Sequence, residues 1–216
     1  IRKSEDLAQA SERRLDDVNG AVTRAEILVE QLVQFSQHHE GERVPTSLVK
    51  TVSKAASRFR EVFPGNTEIP INIENEEIPF IVNADPRQLE QACFALFKNA
   101  NEAMPDSGAI EITIQPQGES QVRLSVKDSG HGISSEVLPH IFEPFFTTKG
   151  IHQGVGLGLS TVQGIITSSG GQIEIKSKQT HGTEAIITLP LCDQPLTSAD
   201  TAPPNEPIRG THLLVV

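Results

Sequence analysis

The sequence predicts an α+β fold, a two-layer α/β sandwich preceded by a long helix. Three observations carry this. The segments "AIEITIQP", "QVRLSVKD", "GQIEIKSK" and "GTEAIITLP" alternate apolar and polar residues, the period of half-buried strands. "DPRQLEQACFALFKNANEAM" and the stretch opening with "GVGLGLS" have helical character instead. Strands follow one another across turn residues, so the sheet should be mainly antiparallel with the helices on one of its faces.

From Ser4 to His39 the chain reads as one helix, with no Pro and one glycine, Gly20. Leu7, Val18, Ala21, Ala25, Leu28, Leu32 and Phe35 keep a heptad spacing interrupted at Ser11 and Arg14. That stripe requires cover, from a partner helix or from the chain's own globular domain. "HHEGERVPTS" breaks the pattern, and Thr46 or Ser47 can cap a second helix to about Phe63. "EIPINIE" and "PFIVNA" are short strand candidates, and Asp85 with Pro86 opens the next helix as cap and first residue. A turn near Gly118 joins the two long strands, and "QTHG" joins the last two. From Leu191 to Gly210 the composition turns to that of a linker, and "THLLVV" looks like the first strand of another domain. The expected organisation is therefore a helix over 1–43, a globular domain over 44–190, a linker over 191–210 and a strand start over 211–216.

A formal net charge of −10 over 216 residues argues against a nucleic-acid or anionic-membrane surface. No stretch approaches the roughly 18 apolar residues of a membrane span. Cys93 and Cys192 lie far apart without metal-ligand spacing, which suits a reduced, cytoplasmic setting. Any anionic partner must then be held by local geometry.

"GVGLGLS", residues 154–160, has that geometry: glycines admit a close oxyanion, and the following helix offers its positive end. It lacks the third small residue of the dinucleotide fingerprint and no alternating strand precedes it. No GxxxxGK[ST] occurs, nor the VAIK, HRD and DFG set of the Ser/Thr-type kinases. Upstream, "DSGHGI" ends a strand with an acid and two spaced glycines, and "FKNANEAM" puts Asn99 and Glu102 on one helix face.

Taken in order, these pieces resemble the boxes of the sensor histidine kinases, in the ATPase superfamily shared with gyrase B, Hsp90 and MutL. "QACFALFKNANEAM" looks like the N box, "KDSGHGI" the G1 box, "IFEPFFTTK" the F box, "GVGLGLS" the G2 box and "HGTEAIITLP" the G3 box. The match covers about Leu48 to Pro190, and the helix before it resembles the second helix of the dimerisation and phosphoacceptor hairpin.

The resemblance implies ATP and Mg²⁺ as ligands. Asp128 would accept from the adenine amino group with Thr183 in support, and Gly130 and Gly132 would let the backbone pass the purine. Asn99 would hold Mg²⁺, with Glu102 beside it. Gly154, Gly156, Leu157, Gly158 and Leu159 would surround the phosphates, with Thr148 and Lys149 contributing from a mobile lid over Phe142 to Gly154, hinged at Gly150 and Gly154. Phe142, Phe145 and Phe146 would anchor that lid or meet the helical hairpin.

Two departures stand out. Ala95 occupies a position where related kinases carry a polar residue and the hydrolytic ATPases a catalytic Glu. No "HExRTP"-like phosphoacceptor motif occurs, and His38 and His39 read as surface residues. The leading expectation is the catalytic portion of a histidine kinase, transferring the γ-phosphoryl to a His on a hairpin helix absent from this chain. From there the group would pass to a receiver-domain Asp, in a homodimeric cytoplasmic or membrane-attached parent. The alternatives are a degenerate signalling scaffold, which Ala95 favours, and a hydrolytic ATPase, which Ala95 disfavours.

Overall fold

The computed structural model describes residues 42–192 apart from 66, 76, 105–107 and 149–154. The expected helix over 1–43 lies outside them up to residue 41, as do His38, His39, Lys149, Gly150, Gly154 and everything from residue 193 onward.

The described chain is an α+β sandwich of eight strands and three α-helices. Strand β1 (Val44–Ser47) runs into helix α1 (Leu48–Val62), where Ser47 caps the helix by accepting from the Lys50 amide. Strands β2 (Thr67–Glu68), β3 (Ile71–Ile73) and β4 (Ile81–Ala84) follow. Helix α2 (Pro86–Glu102) starts as its sequence requires: the Asp85 carboxylate accepts from the Arg87 and Gln88 amides, and Pro86 stands where no amide is needed. The long hairpin β5 (Gly108–Gln117) and β6 (Gln121–Asp128) comes next, turning at Gly118 with φ of +67°. A loop with a 3₁₀ turn at Leu138–His140 leads to helix α3 (Gly158–Ser168), then β7 (Gln172–Ser177) and β8 (Thr183–Pro190) close the domain.

The main sheet has the order β2-β5-β6-β8-β7, with β3 also pairing β5. β5, β6, β8 and β7 are antiparallel neighbours, whereas β2 and β3 lie parallel to β5. β1 and β4 form a separate antiparallel pair, extended by a bridge from Val82 to Leu191. Leu191 also donates its amide to the Ser120 carbonyl and Cys192 donates to that of Ile81, so pairing continues two residues past β8.

The period-2 pattern selects the face. Ile110, Ile112 and Ile114 of β5, Val122, Leu124 and Val126 of β6, and Ala185, Ile187 and Leu189 of β8 enter one core with the helices. On α1, Leu48, Thr51, Val52, Ala55, Ala56 and Phe59 repeat at helical spacing and are all buried. Phe59 stacks on Phe63 at 4.8 Å and meets Phe94 and Phe97 edge-on at 6.0 and 6.2 Å, which joins α1 to α2. The same helices are tied at their rim, where buried Glu90 accepts from Lys54 at 2.8 Å and Arg58 at 3.5 Å. Among the described residues no helix is long and apolar enough to cross a membrane.

Truncating Phe59 to Ala removes a ring that is 1% exposed. It should cost about 3–5 kcal/mol in denaturant unfolding, while Val62→Ala on the exposed side of α1 should stay within about 0.5 kcal/mol.

Candidate functional site

Strand register brings the first site residues together. Alternation along β6 places Val122, Leu124, Val126 and finally Asp128 on the inner face, so the strand ends with a carboxylate where its pattern expects an apolar residue. Asp128 pairs with Ile110 on one side and Thr183 on the other, and Thr183 pairs with Ser177. An apolar sheet face thus ends in a polar rung.

Asp128 is 7% exposed. Its Oδ1 accepts from the Gly130 amide at 2.8 Å and from the Thr183 amide at 3.2 Å. Both donors go to the same oxygen, and Oδ2 accepts from none of the described residues. Burial pushes the carboxyl above its ordinary value of 3.8, and the two amides oppose that shift. A buried acceptor left with open capacity is a place where a ligand donor is favoured.

Close backbone approach explains the surrounding glycines. A Cβ on Gly130 would stand 2.6 Å from the Ala103 carbonyl oxygen, because the turn after β6 runs against the end of α2 and the His131 amide bonds that same carbonyl. Gly132 has φ of +68° and is packed on Lys178, and Gly182, with φ of +83°, lies on the Asp128 carbonyl. The turn after β6 and the hairpin before β8 are therefore pressed together around Asp128. A shallow cleft of about 290 Å³ at this end is lined by Asp128, Ser177, Gly182 and Thr183, with Lys127, Lys176 and Glu184 of the outer face.

The second half of the site lies at the start of α3. Gly156, with φ of +73°, accepts the Phe145 amide at 3.0 Å, and a Cβ there would meet Phe145 and Phe146 within 2.5 Å. Leu157 is the N-cap residue and gives no side-chain cap, so the first-turn amides of α3 keep their donor capacity. Leu157 is buried, Leu159 packs on the core, and Gly158 is exposed. A Cβ on Gly158 would lie 3.9 Å from Asn99 Nδ2, so α2 presents Asn99 to this helix end. The half-buried Asn99 amide has no hydrogen-bond partner among the described residues.

The other expected residues divide. Glu102, one turn beyond Asn99, is exposed and pairs with Lys98 at 3.9 Å. Thr148 is exposed, and Lys149 and Gly154 lie outside the described residues. Phe145 is 57% exposed with φ of +68°, whereas Phe146 lies beside His140 at 5.6 Å. Ala95 packs against the core. Among the described residues there is no group of three or more His, Cys, Asp or Glu that could hold a metal ion by itself.

Ser177 and Gly182 carry the Asp128 end of the site, and reading the sequence motifs did not assign either a role. The signal for Ser177 was present: strict alternation in "GQIEIKSK" puts it on the inner face behind Ile173 and Ile175. For Gly182 only the folded contact with Asp128 reveals the need.

The layered α+β architecture thus carries a half-satisfied buried carboxylate at the end of its sheet and a helix start with open amides nearby. The family described as histidine kinase-, DNA gyrase B- and HSP90-like ATPase matches residues 84–193, more than half of the chain. The chain belongs to this family. Its relatives include sporulation kinase A of Bacillus subtilis (strain 168), 32% identical over 84% of this chain and 30% of the relative. Sensor histidine kinase ZraS of Salmonella typhimurium is 33% identical over 88% of this chain and 38% of the relative. The chain thus spans about a third of the length of these curated relatives. The solved catalytic domain of the histidine kinase ThkA superposes with a TM-score of 0.61 at 34% identity, covering 69% of this chain and 96% of that one. This is the ATPase domain of the histidine-kinase type.

Replacing Asp128 with Asn separates stability from binding. The carboxyl's value is raised in the folded chain, so the folded state is favoured below the unfolded value and that advantage is lost as pH rises through the folded one. Asp128→Asn keeps an acceptor for both amides and removes the titration. Its melting temperature at neutral pH should equal or exceed that of the native chain, with a flatter pH dependence by calorimetry. The Asn variant should at the same time lose affinity for a ligand that donates to Oδ2.

Proposed function

We propose that this chain is the ATP-binding catalytic portion of a sensor histidine kinase, and that Asp128 reads the adenine. The observation that carries the reading is the half-satisfied carboxylate: Oδ1 is fixed by two amides, leaving Oδ2 for the exocyclic amino group. Thr183 lies beside it in register, where it can support the base directly or through a water. Gly130 and Gly132 let the turn after β6 pack against Ala103 and Lys178, which fixes the backbone beside that carboxylate.

The phosphates belong at the other half of the site. Free first-turn amides and the helix dipole at the start of α3 suit an oxyanion, with Gly156, Leu157, Gly158 and Leu159 forming the approach. Gly154, Thr148 and Lys149 would reach them from the connecting segment. The donor set also suits Mg²⁺: the unpartnered Asn99 side chain faces this helix end, and a hard cation takes oxygen ligands, mostly from water and phosphates, with few from protein. When bound, Mg²⁺ supplies charge neutralisation across the phosphates. Glu102, which pairs with Lys98, would stand beside Asn99 at this end of α2.

With the nucleotide so held, the chain's task is to position the γ-phosphoryl for in-line attack by a His on a hairpin helix outside this chain. Residues 1–43 would supply the second helix of that hairpin, 44–190 the catalytic domain, 191–210 a linker and 211–216 the start of a receiver domain. The intact parent would be a cytoplasmic or membrane-attached homodimer that passes its phosphoryl group to a receiver-domain Asp. A hydrolytic reading lacks its base, since half-buried Ala95, packed against the core, stands in its place.

Labelled ATP supplied with a separate hairpin carrying the acceptor His should phosphorylate that hairpin, and Asp128→Ala should abolish transfer. Steady phosphate release without acceptor would support hydrolysis instead, and tight ATP binding without transfer would count against a kinase. Asn99→Ala should remove the Mg²⁺-dependent gain in ATP affinity, roughly tenfold or more, while adenosine binding stays unchanged in a calorimetric titration.

A further inference from the structure

Ser177 closes the polar rung, and its hydrogen bonds can be counted proton by proton. Its Oγ accepts from the Ile133 amide at 2.8 Å, donates to the Gly182 carbonyl at 2.9 Å and lies 2.9 Å from Thr183 Oγ1. A serine hydroxyl has one proton and two lone pairs. The Gly182 carbonyl can only accept, so it takes the proton. The Ile133 amide can only donate, so it fills one lone pair. The contact with Thr183 is left with the second lone pair, and there the Thr183 hydroxyl must donate.

We infer that Ser177 is a positioning residue for base specificity: by taking the Thr183 proton it presents Thr183 to the bound base as an acceptor, selecting a 6-amino purine over a 6-oxo purine. The inference rests on the nucleotide reading above. Its chemistry follows from the two groups at the rung. Asp128 Oδ2 is an acceptor, and Thr183 held this way has only lone pairs to offer a third group. Adenine brings an amino donor to that pair, directly or through a water whose hydrogens point at both. Guanine brings its O6 acceptor to the same place, which leaves buried acceptors facing one another. With Ala at 177 the Thr183 hydroxyl is free to rotate and donate, so the rejection of O6 weakens.

Ser177 also fixes the Ile133 amide, so a loss of affinity alone would not distinguish orientation from support of the turn. The ratio of two ligands does. The test titrates the full chain with unhydrolysable analogues of ATP and GTP in Mg²⁺, for the native chain, Ser177→Ala, Ser177→Thr and Thr183→Val. Ser177→Ala should narrow the ATP-over-GTP preference by roughly tenfold, the scale of one discriminating hydrogen bond. Ser177→Thr, which keeps the hydroxyl, should restore the native ratio. In a Thr183→Val background, Ser177→Ala should no longer change the ratio. Equal weakening of both nucleotides by Ser177→Ala, or an unchanged effect with Val at 183, would overturn the proposal and leave Ser177 as a support of the turn. A native chain that binds neither analogue would instead overturn the nucleotide reading on which it stands.

Discussion

The rest of the site depends on a carboxylate held at the inner end of an apolar strand. Asp128 continues the face formed by Val122, Leu124 and Val126, so it is buried by the same alternation that builds the core. Burial is costly for a charge, and the protein offsets it with two backbone amides aimed at a single oxygen. Half the carboxylate is thus stabilised and half is kept available. That division requires the turn after β6 and the start of β8 to meet at Asp128, which in turn requires glycine at positions 130 and 182.

The two halves of the site come from different parts of the core. The polar rung belongs to the sheet, and its position is set by the antiparallel register from β5 through β7. Asn99 and the start of α3 belong to the helical layer, whose placement depends on the apolar faces of α1, α2 and α3. A ligand long enough to touch both would lie along the seam between the layers. Under the proposed function an acidic chain would accommodate an anion without a basic patch: oriented amides and a helix end act locally, where net charge is screened.

Much of this was legible in the sequence because it is locally encoded. Strand alternation fixed the inner residues of β5 to β8, and the cap candidates, Thr46 or Ser47 and then Asp85, marked two helix starts, which Ser47 and Asp85 cap in the fold. β1 escaped because Val44, Pro45, Thr46 and Ser47 have no alternating apolar pattern, and its partner β4 lies beyond an entire helix. The parallel pairing of β2 and β3 with β5 escaped for a similar reason, since nothing within a short strand states its partner's direction. At the site, Asp128, Gly130 and Asn99 belonged to readable motifs. The free Oδ2, the approach of Asn99 to Gly158 and the proton count at Ser177 exist only once separate elements meet.

The most direct test of this account maps backbone amides by nuclear magnetic resonance during titration with adenosine and then with Mg²⁺ and an unhydrolysable ATP analogue. Adenosine should shift Gly130, Gly132 and Thr183 alone, and the triphosphate should add Gly158, Leu159 and Ser160. Triphosphate shifts confined to the outer sheet face, at Lys127, Lys176 and Glu184, would contradict a nucleotide site between Asp128 and the start of α3.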